Sequence, residues 1–356
     1  MGFRTPVRVL VAIFLTSLLI PASSSASLGL NFQDRLTVES GNPNVNIIST
    51  NEEQNIIAIT YENLVEVYDN ENKSLIKKFE FNREIYDIEF SPNGKLLAVD
   101  VRAISNLENS LHVIDIENME ILDAKSSGHS HEANIDWSPD GTKILIPSMG
   151  SDAKVMNYED MSVHTILDQY HSAEITCAKY SKSGQYILTG DSNGVLVLWD
   201  NDGNYLNVTM DNEEEIVDCG FSQSDVKVGA TYSNGDVRTF TIQGDSLRAT
   251  NLKELNKMIW SDYDDLIYIL KSDSTPEFVV LDGSTLEIIS SVKMMHKSVD
   301  MELIESSTKI EKLYVATDTN HIAIYQKILP KFGLGQDGPD LDGDGIPNTI
   351  DDDDDG

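Results

Sequence analysis

Residues 171–204 read HSAEITCAKYSKSGQYILTGDSNGVLVLWDNDGN. A short β-rich run ends in the turn SKSG, a second run QYILTG ends in DSNG, and a third run closes on VLVLWD. Each run is four to six residues of alternating or β-branched character bounded by Gly, Asn, Asp and Ser, which is the signature of short antiparallel strands. The same layout recurs at IYDIEFSPNGKLLAVD (85–100), NIDWSPDGTKILIPS (134–148) and IVDCGFSQSDVKVGATYSNGDVRTFTI (216–242).

The residue that ends each third run serves as a ruler. Tyr68, Ile114, Tyr158, Trp199, Phe240, Leu281 and Tyr325 stand 46, 44, 41, 41, 41 and 44 residues apart. No 3.6-residue apolar period is sustained long enough for a helical repeat. The period predicts an all-β array of seven units, each a four-stranded antiparallel sheet. One such sheet cannot cover both of its faces, so neighbours must stack, and closing the stack into a ring protects the edges.

With those residues in view, the chain over 34–328 resembles the WD-repeat β-propeller family. Trp199-Asp200 is the dipeptide that names it. The resemblance implies a structural hydrogen-bond network of His171, Thr189, Asn193 and Trp199 in the fourth blade, with Asn193 where the family has Asp. The third blade retains a looser set, His129 or His131 with Ser148, Asp152 and Tyr158. Tyr68-Asp69 and Ile114-Asp115 keep an approximate dipeptide. After Tyr325 the segment QKILPKFGLGQDGP supplies no further strand, because Pro330 and the glycines end it. The N-terminal stretch DRLTVES (34–40) is the expected closing strand of blade seven.

The first 26 residues stand apart from this fold. Arg4 and Arg8 precede an apolar run at 9–20, and small residues follow, with Ser24 and Ala26 at cleavage-type positions. This reads as a secretory signal peptide cut after Ala26, since a twelve-residue apolar run falls short of the ~20 that span a bilayer. The expectation is a secreted or cell-surface protein with no membrane insertion after cleavage. Across the 356 residues the net charge is −33, which repels nucleic acid and anionic headgroups and favours solubility. The sequons at Asn72 (NKS) and Asn207 (NVT) permit glycosylation of an exported chain.

Two cysteines, Cys177 and Cys219, lie on the innermost strands of blades four and five. They are offset by one position, so they either face each other across one blade interface or face apart. Packed sheets lie ~10 Å apart, whereas disulfide Cα atoms need ~4.4–6.8 Å. Two buried free thiols are expected, with a bridge as the alternative.

Little in the propeller points to catalysis. His129 and His131 form the one local His pair and could hold a metal with Glu132 or Asp136. A zinc site needs three or four ligands, so one packing His and one solvated loop His is the preferred reading. There is no phosphate loop and no repeated Trp motif of the quinone-dependent propellers. A non-catalytic platform for an extracellular protein or glycan is therefore expected. The alternative is a secreted quinone-dependent dehydrogenase or lactonase using the central channel, which carboxylates and His converging on that channel would favour.

The C-terminus, DLDGDGIPNTIDDDDDG (340–356), has calcium-loop spacing. Asp340, Asp342, Asp344, the Ile346 carbonyl, Asn348 and Asp351 fall at ligand positions 1, 3, 5, 7, 9 and 12, with Gly345 at position 6. Hard oxygen donors without Cys or His select Ca²⁺. The stretch 337–356 resembles a thrombospondin type 3 repeat, which implies an irregular calcium-binding spacer or anchor. Asp351, Asp353, Asp355 and Gly356 start the same spacing again, so the expected reading is a record cut short or a degenerate last repeat.

Overall fold

The structure is a computed structural model that describes residues 29–38, 45–51, 55–102, 110–125, 134–148, 150–209, 213–261, 263–271, 276–294, 296–304 and 312–328. Its 28 strands form seven four-stranded antiparallel sheets, and no helix occurs among the described residues. Six sheets are built from consecutive strands. The seventh takes its first three strands from Ser298–Ile304, Lys312–Thr317 and His321–Ile328, and its outer strand from Gly29–Thr37. The chain thus closes as a seven-bladed β-propeller. The closing strand starts five residues before the expected Asp34, pairing Gly29 with Ile328 and Thr37 with His321.

Burial follows strand position. Second strands such as Ile56–Tyr61 and Leu266–Lys271 are buried on both faces and read as nearly continuous apolar runs. Fourth strands such as Leu75–Glu80 and Ser246–Asn251 are mostly exposed and carry the polar residues. The core is distributed: among the described residues, seven apolar clusters each join two adjacent blades, and together they cover every interface of the ring. Stacking blades is what buries these faces, and each fully covered Leu, Ile or Phe contributes roughly 1.5–3 kcal/mol.

The first-to-second-strand turns show how sequence sets the blade. In blades two to four the serine that ends the first strand, Ser91, Ser138 or Ser181, accepts at its carbonyl from Gly94, Gly141 or Gly184. Its hydroxyl accepts the N–H of Leu96, Lys143 or Tyr186. The three glycines take φ of 66–70°, which favours a residue without Cβ. Asp225 stands at the same place in blade five with φ 56°, within the reach of Asp and Asn.

The ruler residues fall where expected on the third strands, with one correction. Ile144 pairs Met156 as Ile187 pairs Trp199, so Met156 is the third-blade counterpart and Tyr158 lies two residues past it. The aromatic ring of Tyr158 drew the alignment, but it packs on Trp137 instead, 5.5 Å between centroids. The intervals become 46, 42, 43, 41, 41 and 44 residues.

Candidate functional site: the axis of the ring

The seven first strands, Ile47–Asn51, Ile85–Phe90, Asp136–Trp137, Ile175–Tyr180, Ile216–Phe221, Leu255–Trp260 and Ser298–Ile304, surround the axis. Two cavities of about 480 and 260 Å³ occupy the channel between them and share Asn134, Lys179 and Lys257 as walls. Because side chains alternate along a strand, every second residue of each first strand points towards the following blade and the axis. The polar residues and cysteine at those positions are Ser49, Asp87 and Glu89, Asn134 and Asp136, Cys177 and Lys179, Asp218, Lys257, and Asp300 and Glu302.

Most of these side chains clip one blade to the next. The Ser49 hydroxyl accepts the N–H of Phe90 at 3.2 Å, from blade one to two. Asp87 accepts from Ile135 at 2.7 Å and Asp136 from Tyr180 at 2.6 Å. Asp218 accepts from Met258 at 2.9 Å. Lys257 donates to Asp300 Oδ1 at 2.5 Å, and Asp300 Oδ2 accepts from Ile48 at 2.9 Å, closing blade seven on blade one.

Between blades four and five the clip is covalent. Cys177 and Cys219 form a disulfide with Cα atoms 6.0 Å apart, which overturns the expectation of two free thiols. Cys177 occupies the position of Asp87, Asp218 and Asp300, and Cys219 that of Ile135 and Met258, whose N–H groups those carboxylates bind. The blades converge at the axis, so the ~10 Å spacing of parallel-faced sheets does not apply there. Gly190 makes the room, since a Cβ on it would lie 2.7 Å from the Cys177 sulfur.

The channel is electrostatically loaded. Burial raises the Asp87 carboxyl to about 8, and Lys257 and Lys179 only partly counter it. Burial likewise raises Asp218. Glu89 and Glu302 are also raised by burial, and the nearby carboxylates add to the shift in both. Burial pulls the ammonium groups of Lys179 and Lys257 down, but the surrounding carboxylates outweigh it and hold both above their ordinary value. Lys179 stands 3.8 Å from Asp136. Among the described residues no hydrogen bond engages the carboxylates of Glu89 and Glu302. These two are therefore uncommitted among the described residues, whereas Asp87, Asp136, Asp218 and Asp300 are committed to the frame.

No histidine lines either cavity. Among the described residues no group of three or more His, Cys, Asp or Glu is arranged to hold a metal ion. The condition set for a channel-based enzyme is thus half met: carboxylates converge, but without His, and most of them bind backbone. The alternating charges were present in the inner-strand sequences, and aligning YDIEF, NIDW, TCAKY, VDCGF, NKMIW and VDMEL would have exposed them. What the sequence alone lacked was the ring that turns those columns to one axis.

The fourth-blade network is present with one substitution of role. His171 Nδ1 donates to Asp191 Oδ2 at 2.9 Å, and Trp199 Nε1 donates to the Thr189 hydroxyl at 2.8 Å. That hydroxyl lies 2.7 Å from His171 Nε2 and can donate to it. Asp191 therefore holds the carboxylate place assigned to Asn193. Asn193 donates its backbone N–H to Asp191 Oδ1, alongside that of Val195, and its side-chain amide turns to the Ser172 hydroxyl. In the third blade Ser148 donates to Asp152 at 2.5 Å but sits at the Asp191 position, so among the described residues no equivalent network forms there. His129, His131, Glu132, the segment 1–26 and all six calcium-loop positions, Asp340, Asp342, Asp344, Ile346, Asn348 and Asp351, lie outside the described residues.

Comparison with known proteins agrees with this geometry. Residues 162–200 match the family model "WD domain, G-beta repeat", a span running from the outer strand of blade three to the third strand of blade four. The chain is 28% identical over 123 residues to Polyadenylation factor subunit 2 of Candida albicans, covering 34% of this chain and 22% of that protein. It is 23% identical over 141 residues to WD repeat-containing protein AAC3 of Dictyostelium discoideum, covering 38% and 28%. The matched stretches span less than a third of either curated relative. The protein is a seven-bladed β-propeller whose residues 162–200 are similar to the WD domain, G-beta repeat model.

Proposed function

We propose that this protein is an exported, non-catalytic binding platform whose propeller engages a protein or glycan outside the cell. In this reading residues 337–356 bind Ca²⁺ and serve as spacer or anchor. The platform role is supported by the propeller fold and by its WD-repeat relatives. Export is carried by one observation, the Cys177–Cys219 disulfide at the ring axis. Disulfides form and persist in oxidising compartments and are rare in the cytosol. The signal-type segment at 1–26 agrees with it.

The rival, a channel enzyme, has the convergence of carboxylates in its favour. Asp87, Asp136, Asp218 and Asp300 accept backbone N–H groups that would be left orphaned if those carboxylates turned to a substrate. That favours the platform.

Two measurements test the proposal. The full-length chain expressed in secreting cells should reach the medium starting at Ser27, with the Cys177 and Cys219 peptides linked under non-reducing conditions. Retention in the cytosol with both thiols free refutes export. Titration calorimetry with Ca²⁺ should give binding at ~10⁻⁴–10⁻³ M, lost in the Asp342→Ala, Asp344→Ala variant. No heat at millimolar Ca²⁺, or the same heat in the variant, refutes the calcium role.

A further inference from the structure

The two sequons meet different fates once the ring is built. Asn72-Lys73-Ser74 lies in the turn between the third strand of blade one, Leu64–Asp69, and its fourth strand, Leu75–Glu80. That turn is held by groups other than the sequon side chains. Asp69 Oδ1 accepts the N–H of Glu71 at 2.9 Å and of Asn72 at 2.7 Å, and the Asp69 N–H donates to the Ser74 carbonyl. Asn70 is buried against the Tyr314 hydroxyl of blade seven, and Lys73 donates to Asn70. Asn72 and Ser74 are both exposed, and among the described residues neither the Asn72 amide nor the Ser74 hydroxyl is committed to another group.

Asn207-Val208-Thr209 is built into the fourth strand of blade four, where Asn207 pairs Leu198. Its Oδ1 accepts the N–H of Val208 at 2.8 Å. Its Nδ2, the atom a glycan would join, lies 2.5 Å from where a Cβ on Gly244 of blade five would stand. Gly244 holds φ 87°, so the turn presses its bare Cα face onto that nitrogen. A sugar ring there has no space unless the blade-five turn moves.

We infer that Asn72 is an N-glycosylation site of this protein and that Asn207 is not. The inference rests on the export reading, because the modification needs the secretory route. In the transfer, Asn72 Nδ2 bonds to C1 of a polyprenyl-phosphate-linked oligosaccharide. The C1–O bond to the phosphate breaks, the lipid phosphate leaves, and one Nδ2 proton passes to base; nothing is oxidised or reduced. Transfer accompanies export, so the fold selects by tolerance. A chain carrying the glycan at Asn72 closes its ring, whereas one carrying it at Asn207 must displace Gly244.

The test expresses the full chain with its own leader in secreting cells that carry the N-glycosylation machinery. Secreted protein is treated with a peptide N-glycosidase, which leaves Asp where a glycosylated Asn stood, and is mapped by peptide mass spectrometry. Conversion at Asn72 and none at Asn207 is the expected result. Asn72→Gln should abolish the glycosidase-sensitive mobility shift, and Asn207→Gln should leave it unchanged. Secreted protein unmodified at Asn72, or modified at Asn207, overturns the inference while export stands. A chain retained in the cytosol overturns export, and the inference falls with it.

Discussion

Replacing Cys177 and Cys219 by alanine removes the covalent clip between blades four and five, and the geometry around it sets the cost. Both side chains are buried, at 2% and 1% exposure, and alanine keeps most of their volume, so lost packing is minor. The larger effect is on the unfolded chain, which the crosslink constrains over a separation of 42 residues. Releasing a loop of that length is worth about 4 kcal/mol. The unfolding midpoint should then fall on the order of 10 °C, measured by scanning calorimetry or circular dichroism at fixed pH. A second variant, Cys177→Asp with Cys219→Ala, recreates the carboxylate-to-backbone clip of the other interfaces. It should recover about 1.5–3 kcal/mol, the worth of a hydrogen bond to a charged group. A double-alanine variant melting within about 2 °C of the parent would refute the reasoning, since the effect would then be a small fraction of what the loop length requires. An aspartate variant no better than double alanine would refute the equivalence of the two clips.

The remaining expectations concern the other axial charges. Lys257→Met strands Asp300, which loses its 2.5 Å cation in a site where it is nearly fully buried, and should destabilise the ring by about 3–5 kcal/mol in a urea titration. Asp87 keeps its proton up to about pH 8 in the folded ring, whereas the unfolded chain releases it near 3.8. Between those values the native state binds more protons than the unfolded state, so this group makes stability fall as pH rises; its contribution is full below 3.8 and gone above about 8. Glu89 and Glu302 shift the same way. The Glu89→Gln, Glu302→Gln variant should therefore gain stability over the parent at about pH 9 and lose that advantage at about pH 4, read as the difference in urea midpoint. Equal midpoint differences at both pH values would refute it.

The seven-unit β array was legible because it is written locally. Short apolar alternation and turn residues such as those of Ser91–Gly94 and Ser138–Gly141 recur at a period that no helix shares. Ring closure followed from counting strands, although the closing strand starts at Gly29 and not at Asp34. Errors arose where local text allows two registers. Tyr158 looked like the anchor because it is aromatic, but pairing to Ile144 selects Met156. Asn193 and Asp191 lie two residues apart in one turn, and only the direction of the chain there lets Asp191 reach His171. The disulfide was misjudged because separation at the axis depends on how seven sheets converge, which no single sheet reveals. The axial carboxylates were missed for the same reason: alternation names the outward column, but only closure makes seven columns meet.

The pairing of Gly29–Thr37 with His321–Ile328 also fixes how the ring bears a pull. Gly29 stands opposite Ile328, so the two runs of chain depart from the same end of that ladder. With the mature end held at Ser27 and the C-terminal tail drawn away, load falls on the Gly29–Ile328 pair first and opens the hydrogen bonds one after another, as a zip, instead of shearing them all at once. The last contacts to part, near Thr37 and His321, guard Leu36, Ile322 and Ile324, which are shut away at the interface with blade one. A stretched propeller should therefore yield at this one strand while the other six blades stay intact, and relaxation should let it zip back.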